Sequence, residues 1–104
     1  MAYCHIVENR EATQEQFEQL KAHLSTSGPF PPDGQNLLIA GAAEHGWRVI
    51  TVWESKEKLE RFYTERFPAA CQAAGVGSLD DMQRTIFEVK ALVAGDLVAA
   101  PQAA

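Results

Sequence analysis

The chain is poor in the features that would take it out of an ordinary globular class. Its two cysteines, Cys4 and Cys71, are too few for a disulfide framework and lack the paired spacing of a zinc site. Both are expected as reduced thiols in a cytoplasmic protein, a bridge between them being the lesser alternative. No stretch approaches the roughly 20 apolar residues that span a bilayer. Met1-Ala2-Tyr3-Cys4-His5 also lacks a basic start followed by an apolar run, so neither a membrane association nor a signal peptide is expected. Basic residues are scarce, 9 against 14 acidic ones, for a net charge of −5. They are scattered and not interleaved with aromatics, which argues against nucleic acid as a partner. No pair of histidines has ligand spacing, so no metal is expected, and no internal repeat is visible. What is present, 104 residues of which 46% are apolar and 22% charged, suffices for one core with little surplus.

Patterning then divides the chain. Tyr3 to Glu8 is short and apolar and ends at Asn9-Arg10, as a buried strand does. Thr13, with Gln16 three residues on, has the spacing of a capping box. Phe17, Leu20 and Leu24 follow at helical intervals, with Glu15, Glu18 and Gln19 turned outward. Ser25-Thr26-Ser27-Gly28-Pro29 should end that helix, Gly28 supplying a left-handed cap and Pro29 blocking continuation. Phe30 to Gly34 reads as a turn and Leu37 to Ala40 as a short strand. Glu44-His45-Gly46 marks a reversal into Trp47 to Trp53, the strongest strand signal of the chain. Trp47, Val49, Thr51 and Trp53 share one face of that strand, and Arg48, Ile50, Val52 and Glu54 the other.

Ser55 is placed to cap a second helix with an apolar stripe of Leu59, Phe62, Tyr63, Phe67, Ala70 and Ala74. Pro68 should kink or divide it, and Gly75 should close it. Gly77 to Gln83 reads as a loop with one helical turn near Leu79, and Arg84 to Val93 as the last strand. The Ala-rich residues 95–104 are expected to be a loose tail beyond a domain of residues 1–94. The order strand, helix, strand, strand, helix, strand predicts an α+β, ferredoxin-like βαββαβ fold with a four-stranded antiparallel sheet. Both helices then cover one face, yet apolar residues alternate onto both. A bare apolar sheet face is seldom tolerated in a monomer, so a homodimer is expected.

The run Gly46-Trp47-Arg48-Val49-Ile50-Thr51-Val52-Trp53-Glu54-Ser55, followed by Leu59-Glu60-Arg61-Phe62, resembles the dimeric α+β barrel superfamily. More narrowly it resembles the antibiotic biosynthesis monooxygenase-like domains, as does Glu65-Arg66-Phe67-Pro68-Ala69-Ala70. The resemblance covers roughly residues 2 to 93. It implies one of several activities, among them cofactor-free oxygenation of polyketide quinols, polyketide cyclisation and heme degradation, so the fold leaves the reaction open. Heme-degrading relatives carry a histidine after a pair of alanines late in the second helix, whereas Ala69-Ala70 here leads into Cys71-Gln72. No cofactor is therefore expected. Small relatives often carry histidines in the second and last strands, where this chain has Leu38 and Lys90.

Several residues have the chemistry for a site. Arg66 falls on the stripe of Leu59, Phe62 and Ala70 and should point toward the sheet, where a guanidinium needs an anionic or planar partner. It would hold the carboxylate or enolate of a ligand, or else form an internal ion pair. His5, in a central strand, offers a general base near neutral pH or is a satisfied core residue. Tyr63 offers a phenolic proton. Trp47, Trp53 and Phe62 offer flat surface for an aromatic ligand, or core packing. Together they suggest a mixed cleft for a small hydrophobic or aromatic, acidic ligand. Its protein would be either a small enzyme of polyketide-like metabolism, oxygenating or cyclising without a cofactor, or a non-catalytic binding or accessory module.

Overall fold

Residues 1–96 are described by the structure, a computed structural model. Tyr3–Asn9 form β1, Gln14–Ser27 α1, Gln35–Ala42 β2, Trp47–Trp53 β3, Lys56–Glu65 α2, Phe67–Ala74 α3 and Gln83–Glu88 β4. A single 3₁₀ turn at Leu79–Asp81 leads into β4. Local chemistry sets most of these limits. Thr13 caps α1 reciprocally: its hydroxyl accepts from Gln16 N–H, and the Gln16 side chain accepts from Thr13 N–H. Ser55 Oγ accepts from Lys58 N–H at the start of α2. Gly46, at φ +85°, turns the hairpin between β2 and β3, a backbone state that favours glycine. Pro68 lies in the first turn of α3, where its missing N–H costs nothing, and the long helical stripe is accordingly divided.

The strands form one antiparallel sheet in the order β2-β3-β1-β4, the ferredoxin-like α+β arrangement. Tyr3, His5 and Val7 of β1 lie beside Trp53, Thr51 and Val49 of β3 on the face that the helices cover. Trp53 and Leu59 are fully buried there, with Leu24, Phe62, Tyr63, Phe67, Ala70 and Cys71 around them. Both cysteines are free and buried. No helix of the described residues is long and apolar enough to cross a membrane.

Four expectations need correction. Strand β2 extends two residues beyond each end of Leu37 to Ala40, because β3 offers backbone partners from Trp47 to Trp53. Strand β4 stops at Glu88 and not at Val93: its partner β1 begins at Tyr3, so only one further bond, Val89 N–H to Ala2 O at 2.8 Å, is available. Gly28 is extended, at φ 167°, and forms no left-handed cap; its lack of a side chain matters because a Cβ there would stand 2.9 Å from Arg66 Nη2. Arg66 closes α2 with φ −113° and so leaves the helical stripe. The expected loose tail lies largely in residues 97–104, outside the described residues; Gly95 and Asp96 are exposed and irregular.

Candidate functional site

Between the sheet and α1 and α2 the core is incompletely filled. A cavity of about 70 Å³, open to solvent on one side, has walls of Phe17, Leu38, Trp47, Val49, Phe62 and Tyr63 among others. The wall is overwhelmingly apolar, and the ionisable side chains on it are two. Lys21 is tied to Glu18 at 3.2 Å. Tyr63 is buried, and that burial pushes its phenol up to about 12, so it is a protonated hydrogen-bond donor at neutral pH. Leu38 presents an aliphatic side chain where the family resemblance suggested histidine, and Lys90 lies beyond the end of β4.

Behind Tyr63 lies a polar cluster. His5, fully buried, meets the Tyr63 ring edge-on at 4.4 Å. Its Nε2 accepts from Arg84 Nε at 2.9 Å, which assigns the proton of the neutral ring to Nδ1, an atom without a partner among the described residues. Burial, reinforced by the Arg84 charge, holds His5 down at about 4. The guanidinium of Arg84 lies 5.7 Å from the Tyr63 ring centre. Thr51, on the next strand, accepts from Trp53 Nε1 at 2.8 Å and donates to His5 O at 3.4 Å. The indole N–H of Trp47, by contrast, is buried without an acceptor among the described residues. Among the described residues no three His, Cys, Asp or Glu side chains gather as a metal ion needs.

No family model and no curated protein sequence matches the chain. Solved structures match in shape. SnoaB, a cofactor-independent oxygenase from Streptomyces nogalater, crystallised as a mutant, superimposes with a TM-score of 0.58 at 10% identity, over 88% of this chain and 95% of that one. A candidate antibiotic biosynthesis monooxygenase from Deinococcus radiodurans superimposes with a TM-score of 0.54 at 19% identity, over 95% and 100%. The chain shares the ferredoxin-like α+β fold of these two structures. At such low identity the likeness carries the fold and not the chemistry.

Within this fold the residues singled out from sequence separate into three groups. Tyr63, Phe62 and Trp47 line the cavity. His5 stands one layer behind it, against Tyr63, and Trp53 is core, fully buried with its N–H satisfied. Arg66 belongs to neither place. It does not point toward the sheet: Nη1 donates to Pro29 O at 2.6 Å and Nη2 to Leu24 O at 2.8 Å, tying the end of α1 to the α2–α3 junction. The break in the helix at Arg66 swings its side chain away from the direction that helical counting gives. Sequence reading passed over Arg84 and Thr51. Alternation along β1, β3 and β4 puts both on the helix face, where Thr51 is buried and Arg84, on the edge strand, stays exposed.

Proposed function

We propose that the cavity binds a flat, largely apolar organic molecule and that the chain oxygenates or cyclises it without a cofactor, as a small cytoplasmic enzyme of polyketide-like metabolism. The observation that carries this reading is the cavity itself: apolar walls with a protonated Tyr63 set in them. For an anthrone-type substrate the oxygenation is balanced without an added reductant. The substrate loses a proton from its central carbon, the resulting carbanion gives its electrons to O₂, and one oxygen atom stays as the new carbonyl while the other leaves as water. Tyr63 donates a hydrogen bond to the substrate oxygen on which charge develops, and the walls exclude solvent. His5, neutral and screened from the cavity by Tyr63, orients that ring. The chemistry relies on the acidity of the substrate, since among the described residues no carboxylate or histidine lines the space. That same feature favours the second reading, a binding or accessory module that holds such a molecule without turning it over.

Dithranol, a dihydroxyanthrone, tests both. Oxygen uptake above the protein-free rate, with dihydroxyanthraquinone as the product, is expected, and Tyr63→Phe should lower it about 100-fold. Binding without uptake leaves the accessory reading; absence of binding removes the cavity as a ligand site. We read the open sheet face as the contact of a homodimer.

A further inference from the structure

Among the described residues, Lys21 is the one Lys or Arg side chain on the cavity wall, and no carboxylate lies there. Local structure explains its place. Side chains of a helix lean toward its N-terminus, so Lys21 of α1 lies back over Phe17, four residues earlier. Its Nζ stands 5.4 Å from the centre of that ring. Phe17 in turn packs on Trp47 of β3 at 5.5 Å, and both rings are cavity wall. The ammonium therefore stands beside the aromatic wall, on a side chain only 27% exposed.

Its counter-ion is replaceable. Glu18 meets Nζ at 3.2 Å from one helical turn away and is not part of the wall. An i,i+3 pair at the surface constrains its partners little. Lys58, similarly covered, carries two carboxylates, Asp33 and Glu54; Lys21 carries one. An ammonium has three donors on a flexible stem, so two remain after Glu18. The other polar side chains of the wall are uncharged: Tyr63, whose phenol stays protonated, Thr51 and the amides of Asn9, Gln16 and Gln35. The space thus meets one cation, neutral groups and no anion.

We propose that Lys21 holds the ligand as its oxyanion. The ligand class is an aromatic molecule with an acidic oxygen, a phenol or an enolisable ketone, its ring against Phe17 and Trp47. The ligand's proton leaves to solvent through the open side of the cavity, and the electron pair stays on the ligand oxygen beside Nζ. This deepens the proposed function, on which it rests: Lys21 raises the acidity that the reaction demands of its substrate. The anionic anchor expected at Arg66 passes to α1, and Glu18 becomes the carboxylate with which the ligand competes.

4-Nitrophenol tests this, because its anion is coloured and forms near neutral pH; 4-nitroanisole has nearly the same shape and no proton to lose. Binding of both to the full chain is measured, the first across pH by absorbance. Bound to wild type, 4-nitrophenol should ionise about one pH unit lower than when free, an about ten-fold preference for the anion. The net charge of −5 opposes such a shift, so a local cation has to produce it. Lys21→Met should turn the shift upward, as an apolar wall alone does, while 4-nitroanisole binds as before, which shows the cavity intact. Lys21→Arg should keep the downward shift, and Glu18→Gln should enlarge it by freeing the ammonium. Should Lys21→Met not fold, Glu18→Gln decides, an unaltered shift there overturning the proposal. No shift in wild type, or a downward shift that survives Lys21→Met, also overturns it and leaves the cavity reading standing. No binding of either probe to wild type removes both.

Discussion

At the residue scale, His5 has to stay neutral to remain where it is. Its pKa is about 4 in the folded chain, against about 6.5 in an unfolded one. Above pH 6.5 the ring is neutral in both states and its contribution is complete. As pH falls through the window from 6.5 to 4, the unfolded chain takes up a proton that the folded chain refuses, so stability declines, by a total on the order of 3 kcal/mol. Urea denaturation at pH 7.0 and pH 4.5 should show that decline as a difference between wild type and His5→Gln, whose shared carboxylate titrations cancel. Parallel curves for the two proteins would mean that the imidazole is solvated and not buried against Arg84. Trp53 supplies a second check at this scale: fully buried and bonded to Thr51, its replacement by Ala should cost about 3 kcal/mol or more. The roles of His5 and Trp53 were half legible in the sequence, since alternation fixes which face each occupies. The partner of His5 was not legible, because Arg84 is 79 positions away and only strand pairing brings the two together.

Elements show where local signals suffice and where they fail. Thr13 with Gln16, Ser55, Gly46 and Pro68 act through neighbours within a few positions, and each does in the structure what its spacing predicts. The errors lie at Gly28, Arg66, the ends of β2 and the end of β4, where the deciding partner is remote. Gly28 and Arg66 are wrong for one shared reason: the α2–α3 break sends the guanidinium across to the end of α1, and Gly28 leaves it room. That joint can be tested as a pair. Arg66→Met should destabilise by about 2 kcal/mol, the worth of a charged hydrogen bond, without weakening the binding of an aromatic probe. Gly28→Ala crowds the guanidinium and should be harmful in wild type yet close to neutral in the Arg66→Met background. A coupling of about 1 kcal/mol in the denaturation midpoints of the four proteins is expected; simple additivity would show that the guanidinium yields freely and clamps nothing.

Across the whole molecule, the sheet face away from the helices is the surface on which the proposed homodimer is tested. Its side chains fall into rows read from the strand registers. Leu37, Val52, Cys4 and Phe87 form one, and Ile39, Ile50, Ile6 and Thr85 the next. Beyond them Arg48 pairs with Glu8 at 2.7 Å. Two nearly apolar rows thus cross the full width of the sheet, about 14 Å at the usual strand spacing, with a charged row at their end. Ile39 is 53% exposed, Phe87 48% and Leu37 38%. An apolar centre with a charged margin is the anatomy of an interface, and a second copy of the same face supplies a matching surface through a two-fold axis. Wild type should therefore sediment as a pair of chains at micromolar concentration. Ile39→Glu, a change at an already exposed position on the edge strand β2, should give a folded monomer with unchanged helical circular dichroism. The cavity lies on the opposite, helix-covered face, so this monomer should bind dithranol as wild type does. A wild-type monomer would mean that the two rows face water in solution. A monomeric variant that loses the probe would mean instead that pairing across the open face holds the sheet in the curvature that the cavity needs.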